Sequence, residues 1–345
     1  MNRTIMSGEI FIKYPKAATI FAAICAILFC IVGFLGNFVT ILALARCPKL
    51  ISQATTAFVL SLCISDLIFC SVSLPLIASR YIYERWILGM TCCKLFPVLL
   101  YGNVALSLLN MVAITINRYT IISYYPYYSK LYSKISILVQ LVFIWAGSFL
   151  IMLPPLLGIW GQLGLHPPTF SCTILEKNGK SPKKFIFLVG FALPCVVIII
   201  SYICIYLKVK KSTKKLRKHQ VNDSTRNKNS RREREDGRLT KLMLLIFVCF
   251  VFCFLPLMCV NVFDDEVRYP TLHVFASILA WASSVVNPFI YAASNRQYRS
   301  AYSKLFNVFR SSMTATDSRQ LSNSHKSRGT DNKNNHQLAK VVPAE

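Results

Sequence analysis

Two ionisable side chains stand inside long apolar runs of this chain, and each demands a chemical explanation. Arg118 closes the segment Cys93 to Tyr119, within Asn117-Arg118-Tyr119, and Asp66 lies in the middle of Leu62-Cys63-Ile64-Ser65-Asp66-Leu67. A guanidinium at the edge of a bilayer is costly unless it snorkels or meets a partner, so Arg118 is a functional candidate from its position alone. A carboxylate at mid-span costs about 2.5–3.5 kcal/mol on insertion scales, so Asp66 needs a cation, a proton or polar neighbours. The cysteines divide in a similar way. Most of the 13 lie in apolar runs and act as small hydrophobes, whereas Cys92, Cys93 and Cys172 fall at or between span ends. An oxidising exterior lets a bridge persist there, and Cys93 with Cys172 is the pairing expected. The chain has no metal-binding histidine pair on one helix, no nucleophile elbow and no phosphate loop, which disfavours an enzyme. Its halves show no internal repeat of the kind a transporter carries.

The elements that must hold these residues follow from composition. With 54% hydrophobic and only 15% charged residues, the 345-residue chain is too apolar for an ordinary soluble domain. Its net charge of +25 is concentrated between Lys208 and Lys241 and in the tail, which marks cytoplasmic segments rather than a nucleic-acid surface. Seven apolar runs are legible: Ala17 to Ala45, near Thr55 to Tyr81, Cys93 to Tyr119, about Ile135 to Leu157, Phe185 to Leu207, about Arg238 to Asn261, and about Leu272 to Ala293. The expected fold is an all-α membrane protein, a seven-transmembrane helix bundle with a short amphipathic helix 8. An odd number of spans puts the termini on opposite sides. Residues 1–17 are then extracellular, 18–294 form the bundle with an inner loop at about 208–237, 295–310 form the amphipathic helix, and 311–345 form a disordered cytoplasmic tail. Asn2-Arg3-Thr4 is a glycosylation sequon, usable if that end is outside. Lys177, Lys180, Lys183 and Lys184 depart from a clean positive-inside pattern, but the inner excess is larger.

The ordered set Gly36-Asn37, Leu62 to Asp66, Cys93, Asn117-Arg118-Tyr119, Trp145, Pro194 with Tyr202, Phe254 with Pro256, and Asn287-Pro288 with Tyr291 resembles the rhodopsin-like (class A) G-protein-coupled receptors. Within them, Cys172-Thr173-Ile174-Leu175, the Gly179 to Lys184 stretch and Leu193-Pro194-Cys195 look like the insect trapped-in-endoderm and moody receptors, with melatonin-receptor-like features. The resemblance implies a switch at Asn117, Arg118, Tyr119, Tyr202, Phe254, Pro256, Asn287, Pro288 and Tyr291. Because Asn117 replaces the usual acid, it cannot hold Arg118 as an ion pair, and Asp236 is the residue that could take over the restraint. The resemblance also implies an allosteric sodium pocket at Asp66, Asn103, Ser107, Ser283 and Asn287. Hard oxygen donors with one carboxylate suit that ion, the alternative being a protonated, hydrogen-bonded Asp66.

For the outer cavity the sequence mostly excludes. Leu100 stands where amine receptors keep an aspartate, and the seventh span has no lysine for a retinal Schiff base. Gly190 and Pro155 replace the histidine and asparagine expected of a melatonin receptor. Leu100, Tyr101, Trp281 and His273 remain as cavity residues. The resemblance implies a plasma-membrane receptor that meets a heterotrimeric G protein, of Gi or Go type, with arrestin and a receptor kinase at the tail, an extracellular ligand and membrane lipids. It further implies roles in cell migration or epithelial barrier signalling. No nucleic-acid partner and no further cofactor are expected.

Overall fold

The computed structural model describes residues 3–6, 9–12, 14–218, 226–264, 267–307 and 310, with the backbone alone at 3–6, 9–12, 212–218, 226–236 and 262. A hairpin of β1 (Arg3–Met6) and β2 (Glu9–Ile12) precedes the first long helix, α1 (Lys16–Ala45). The other spans are α2 (Ala54–Tyr83), α3 (Gly89–Ser123), α4 (Lys134–Leu150), α5 (from Lys183–Phe187 through Leu193–Lys218), α6 (Arg226–Phe263) and α7 (Pro270–Ser294). After a break at Asn295, a further helix, α8, occupies 296–307. Between α4 and α5 runs a second hairpin, β3 (Gln162–His166) with β4 (Ser171–Leu175).

The bundle is built inside out relative to a soluble protein. On α1 the small and polar residues Ala22, Ala23, Ala26, Gly33, Asn37 and Thr40 are buried, while Ile20, Phe21, Ile24, Leu28, Ile31 and Leu35 face outward. Small residues let backbones approach, and the large aliphatic ones have a lipid environment as apolar as themselves. Asn37 shows the purpose of the polar position. Pro288 has no N–H for the Ser284 carbonyl four residues earlier, and Asn37 Nδ2 donates to that carbonyl at 2.9 Å while Gly36 lies against the Pro288 ring. A kink that would orphan a carbonyl in hydrocarbon is thus tied to α1.

Prolines also explain two departures from plain helix. A π-helical turn, Phe69–Ser73, lies just before Pro75, and the same device, Leu188–Ala192, precedes Pro194. The fourth span is shorter than its apolar run. Its helix ends at Leu150, and Pro154-Pro155 fall in a separate turn, Leu153–Leu156, rather than in a span reaching Leu157. Tyr125–Leu131, which precedes α4, is bent from it by 72° and so lies across its end. Much of the stretch expected as an inner loop, 208–237, continues α5 to Lys218 and opens α6 at Arg226.

α3 is the central shaft, packed against α2, α4, α5 and α6, with β4 against its outer end. Around it lie an inner apolar cluster that includes Leu62, Met111, Phe250 and Tyr291, and an outer one that includes Phe96, Tyr81 and Trp281. α8 is more than an interfacial helix. Its Tyr298, Ala301 and Leu305 are buried in the inner cluster, and the Tyr302 and Thr40 hydroxyls hydrogen-bond at 2.9 Å. Asn295 Oδ1 caps it through the Gln297 N–H at 2.8 Å, and Arg299 donates to the last carbonyls of α7.

Candidate functional site

The inner end of α3 carries the switch residues. Asn117 and Arg118 are buried, and their partner comes from the first turn of α2: Thr55 Oγ1 donates to Asn117 Oδ1 at 2.7 Å, and Arg118 Nη2 donates to both Thr55 Oγ1 and Asn117 Oδ1. Asn117 Nδ2 in turn donates to the Tyr128 hydroxyl at 3.4 Å. Both of these acceptors are neutral oxygens, and each holds the charge less strongly than a carboxylate oxygen would. Thr55 was invisible in the sequence, because a threonine at a span end is ordinary. The Asp236 side chain lies outside the described residues. Tyr119 is half-buried against the inner cluster and meets the Tyr124 ring edge-on at 5.9 Å.

Two tyrosines near this network carry buried hydroxyls without a well-formed hydrogen bond among the described residues, Tyr202 of α5, beside Thr115, and Tyr291 of α7, beside Cys63. A buried polar group without a partner is costly, and such groups concentrate where a second arrangement satisfies them. Tyr291 stacks on Tyr298 at 5.1 Å, so α8 fixes its present position. Higher on α6, Phe254 stacks on Phe250 at 4.5 Å and both lie 6.4 Å from Phe191 of α5, one helical turn's reach from Pro256. A helix weakened by an internal proline and held by three packed rings can move only by repacking them.

At mid-membrane, Asp66 is 1% exposed and accepts from Asn287 Nδ2 at 2.8 Å. Asn103 and Ser107 gather on the neighbouring Ser65: Asn103 Nδ2 donates to its carbonyl at 2.7 Å and its hydroxyl at 3.0 Å, and the two serine hydroxyls are 3.4 Å apart. Ser65 is the hub that sequence reading passed over. The Ser283 hydroxyl is engaged within α7 by the Ala280 carbonyl at 2.7 Å. No lysine or arginine pairs with Asp66 among the described residues. The donor set, one carboxylate with amide and hydroxyl oxygens, suits a small hard cation.

The outer end is roofed by the β3–β4 hairpin. The Cys93–Cys172 disulfide, with Cα atoms 5.2 Å apart, joins the start of α3 to β4, while Cys92 is free. Leu100 packs into the outer cluster, whereas Tyr101 turns to a separate small cluster under the hairpin and its hydroxyl meets Thr173 at 2.9 Å. Trp281 is buried, 5.8 Å from the Tyr81 ring. His273 Nε2 lies 2.9 Å from the Asp264 carbonyl and 3.1 Å from its carboxylate. Burial alone would push Asp264 up. The Tyr269 and Arg268 amides and His273 outweigh it and hold the carboxyl below its usual range.

A family model described as "7 transmembrane receptor (rhodopsin family)" matches residues 36–291, the interval that holds Arg118, Asp66, the disulfide and their hydrogen-bond partners. The chain belongs to the rhodopsin family of seven-transmembrane receptors. Among its relatives, this rhodopsin-family receptor is 55% identical over 309 residues to Protein trapped in endoderm-1 of Drosophila melanogaster, covering 85% of this chain and 79% of that protein. It is 33% identical to G-protein coupled receptor moody of Drosophila pseudoobscura pseudoobscura, covering 82% of this chain but 51% of the other, so it spans about half of that receptor's length. The crystal structure of squid rhodopsin shares the fold, with a TM-score of 0.77, 24% identity, and 87% and 88% of the two chains covered. The protein is thus a multi-pass membrane receptor of the G-protein-coupled kind and not an enzyme.

Proposed function

We propose that this receptor lies in the plasma membrane with its N-terminus outside and, on binding an extracellular ligand at the outer cluster, activates a Gi- or Go-type G protein. The observation that carries the reading is the inner network: Arg118 donating to neutral Thr55 and Asn117, beside the buried hydroxyls of Tyr202 and Tyr291, which have no well-formed hydrogen bond among the described residues. In the active packing α6 swings outward about Pro256, the Phe191, Phe250 and Phe254 rings repack, and Arg118 leaves Thr55 for the opened inner cavity near the two tyrosines. Moving a 1:99 equilibrium to 99:1 takes about 5.5 kcal/mol of differential affinity, within reach of a partly buried ligand.

Asp66, Ser65, Asn103, Ser107 and Asn287 would hold a sodium ion in the inactive packing, where it would supply the positive charge that the buried carboxylate otherwise lacks. Asn2 as a glycosylation site, and arrestin and a receptor kinase acting on 311–345, belong to the same reading, and all lie outside the described residues. Likeness to the two insect receptors supports a role in cell migration or epithelial barrier signalling. The test is nucleotide exchange on purified Gi, Gs and Gq heterotrimers with the receptor in vesicles. Acceleration confined to Gi is expected, and acceleration of Gs or Gq alone contradicts the coupling assignment.

A further inference from the structure

Among the described residues, Arg80 at the outer end of α2 is a buried arginine at the extracellular end. It is 9% exposed. Its Nη1 donates to the Thr169 carbonyl at 3.2 Å and its Nη2 to the Tyr81 hydroxyl at 3.3 Å, while Nε is buried with no partner. A guanidinium carries five N–H donors and a full charge, and two neutral acceptors satisfy neither.

The nearby acids do not supply the missing charge. Glu84, one turn further along α2, accepts from Thr19 Oγ1 at 3.0 Å. Both Asp264 oxygens are taken by the Arg268 and Tyr269 amides and His273, and no carboxylate among the described residues pairs with Arg80. What surrounds the guanidinium is aromatic: the Tyr81 ring at 4.5 Å, then Phe170, with Tyr14 beyond it at 4.8 Å and Trp281 on the far side of Tyr81. The group therefore sits at the polar end of the apolar outer cluster, above the cavity residues already described.

We propose that Arg80 is the anchor for the anionic head of an amphipathic ligand, a carboxylate or phosphate group on an apolar body, whose body lies along Tyr81, Phe170 and Trp281. This rests on the reading of the outer cluster as the ligand site and names the chemistry that site selects. The planar fork of an arginine matches the two oxygens of either head group, a fit that a lysine does not reproduce. Tyr14 assists: burial, then the neighbouring Tyr81, raise its pKa, so its hydroxyl stays protonated as a second donor near an arriving anion. With no carboxylate among the described residues against this buried charge, ligand binding supplies the neutralisation that they do not.

The experiment measures thermal unfolding of the purified receptor in nanodiscs of neutral phosphatidylcholine, with no G protein present, so that a failure of coupling leaves its result unchanged. Myristate, tetradecyl phosphate and uncharged tetradecanol are the added compounds. The wild type is expected to gain about 3–5 °C with one or both anions and not with tetradecanol. Arg80→Gln loses that gain without lowering the ligand-free midpoint, and Arg80→Lys keeps a smaller gain. A shift from one anion only identifies the head group. Absence of any anion-dependent shift in the wild type, or its persistence in Arg80→Gln, overturns the proposal. An Arg80→Gln receptor less stable without ligand also overturns it, by reducing Arg80 to a strut that holds Thr169.

Discussion

At the scale of single residues, Arg118 is engaged by a threonine hydroxyl and an amide oxygen, in a motif where Asn117 takes the place of the usual acid. Hydrogen bonds to a charged group contribute about 1.5–3 kcal/mol, so removing one from the inactive packing alone shifts the balance by roughly tenfold or more. Thr55→Val is therefore expected to raise ligand-free nucleotide exchange several-fold, measured against wild type at equal receptor density, and an unchanged rate would refute the role given to Thr55. Asp66 sets a second expectation. Replacing choline with sodium in the buffer should raise the unfolding temperature of the wild type by a few degrees and leave Asp66→Asn unmoved; equal responses exclude an ion at that carboxylate. Arg118 and Asp66 were legible in the sequence because a charge in hydrocarbon cannot be idle. Thr55 and Ser65 were not, since hydroxyls are common in membrane helices and only the fold shows that Thr55 meets Arg118 and Ser65 meets Asn103.

The elements tell a different story about legibility. Each span was visible as an apolar run, but where a run stops being plain helix depends on prolines and neighbours: Pro154-Pro155 cut α4 at Leu150, and π-helical turns precede Pro75 and Pro194. The β3–β4 hairpin was not foreseen, because five-residue strands in a loop give too short a pattern to read. The bridge that anchors it was. Cys172→Ser should lower stability by about 2–4 kcal/mol, given the 79-residue separation that the bridge closes, and should loosen the roof over the outer cluster. Loss of antibody binding to a hairpin epitope alongside a lower unfolding temperature checks this.

His166 adds a pH dependence to the same hairpin. Burial first, then the charges of Lys183 and His273, hold this histidine below the ordinary value of 6.5. Its neutral ring accordingly contributes stability that is complete above 6.5 and is lost as pH falls through the lower folded value. Hydrogen exchange at the β3–β4 amides, corrected for the intrinsic rate, should be faster at about pH 5 than at about pH 7.5 in the wild type. The difference should flatten in His166→Asn, and a wild type with no such difference contradicts the assignment.

Over the whole molecule, the parts form one lever. The disulfide and hairpin fix the outer end of α3, the Asn37–Ser284 bond ties α1 to the kink of α7, and α8 holds Tyr291 from below through Tyr298. Held on those sides, the bundle is free to change by repacking the three phenylalanines between α5 and α6, with Arg118 as the group that changes partners. The number of spans and the order of their polar residues made this architecture readable in the sequence. How α8 docks against Thr40, and which oxygens face Arg118, required the packing itself. The central claim is that Arg118, engaged by Thr55 and Asn117, is the group through which this receptor drives nucleotide exchange. Its most direct test is ligand-free exchange on Gi in vesicles bearing wild type or Arg118→Ala at matched density: the wild type should exceed receptor-free vesicles and Arg118→Ala should fall to their level, whereas equal exchange from the two receptors would contradict the account.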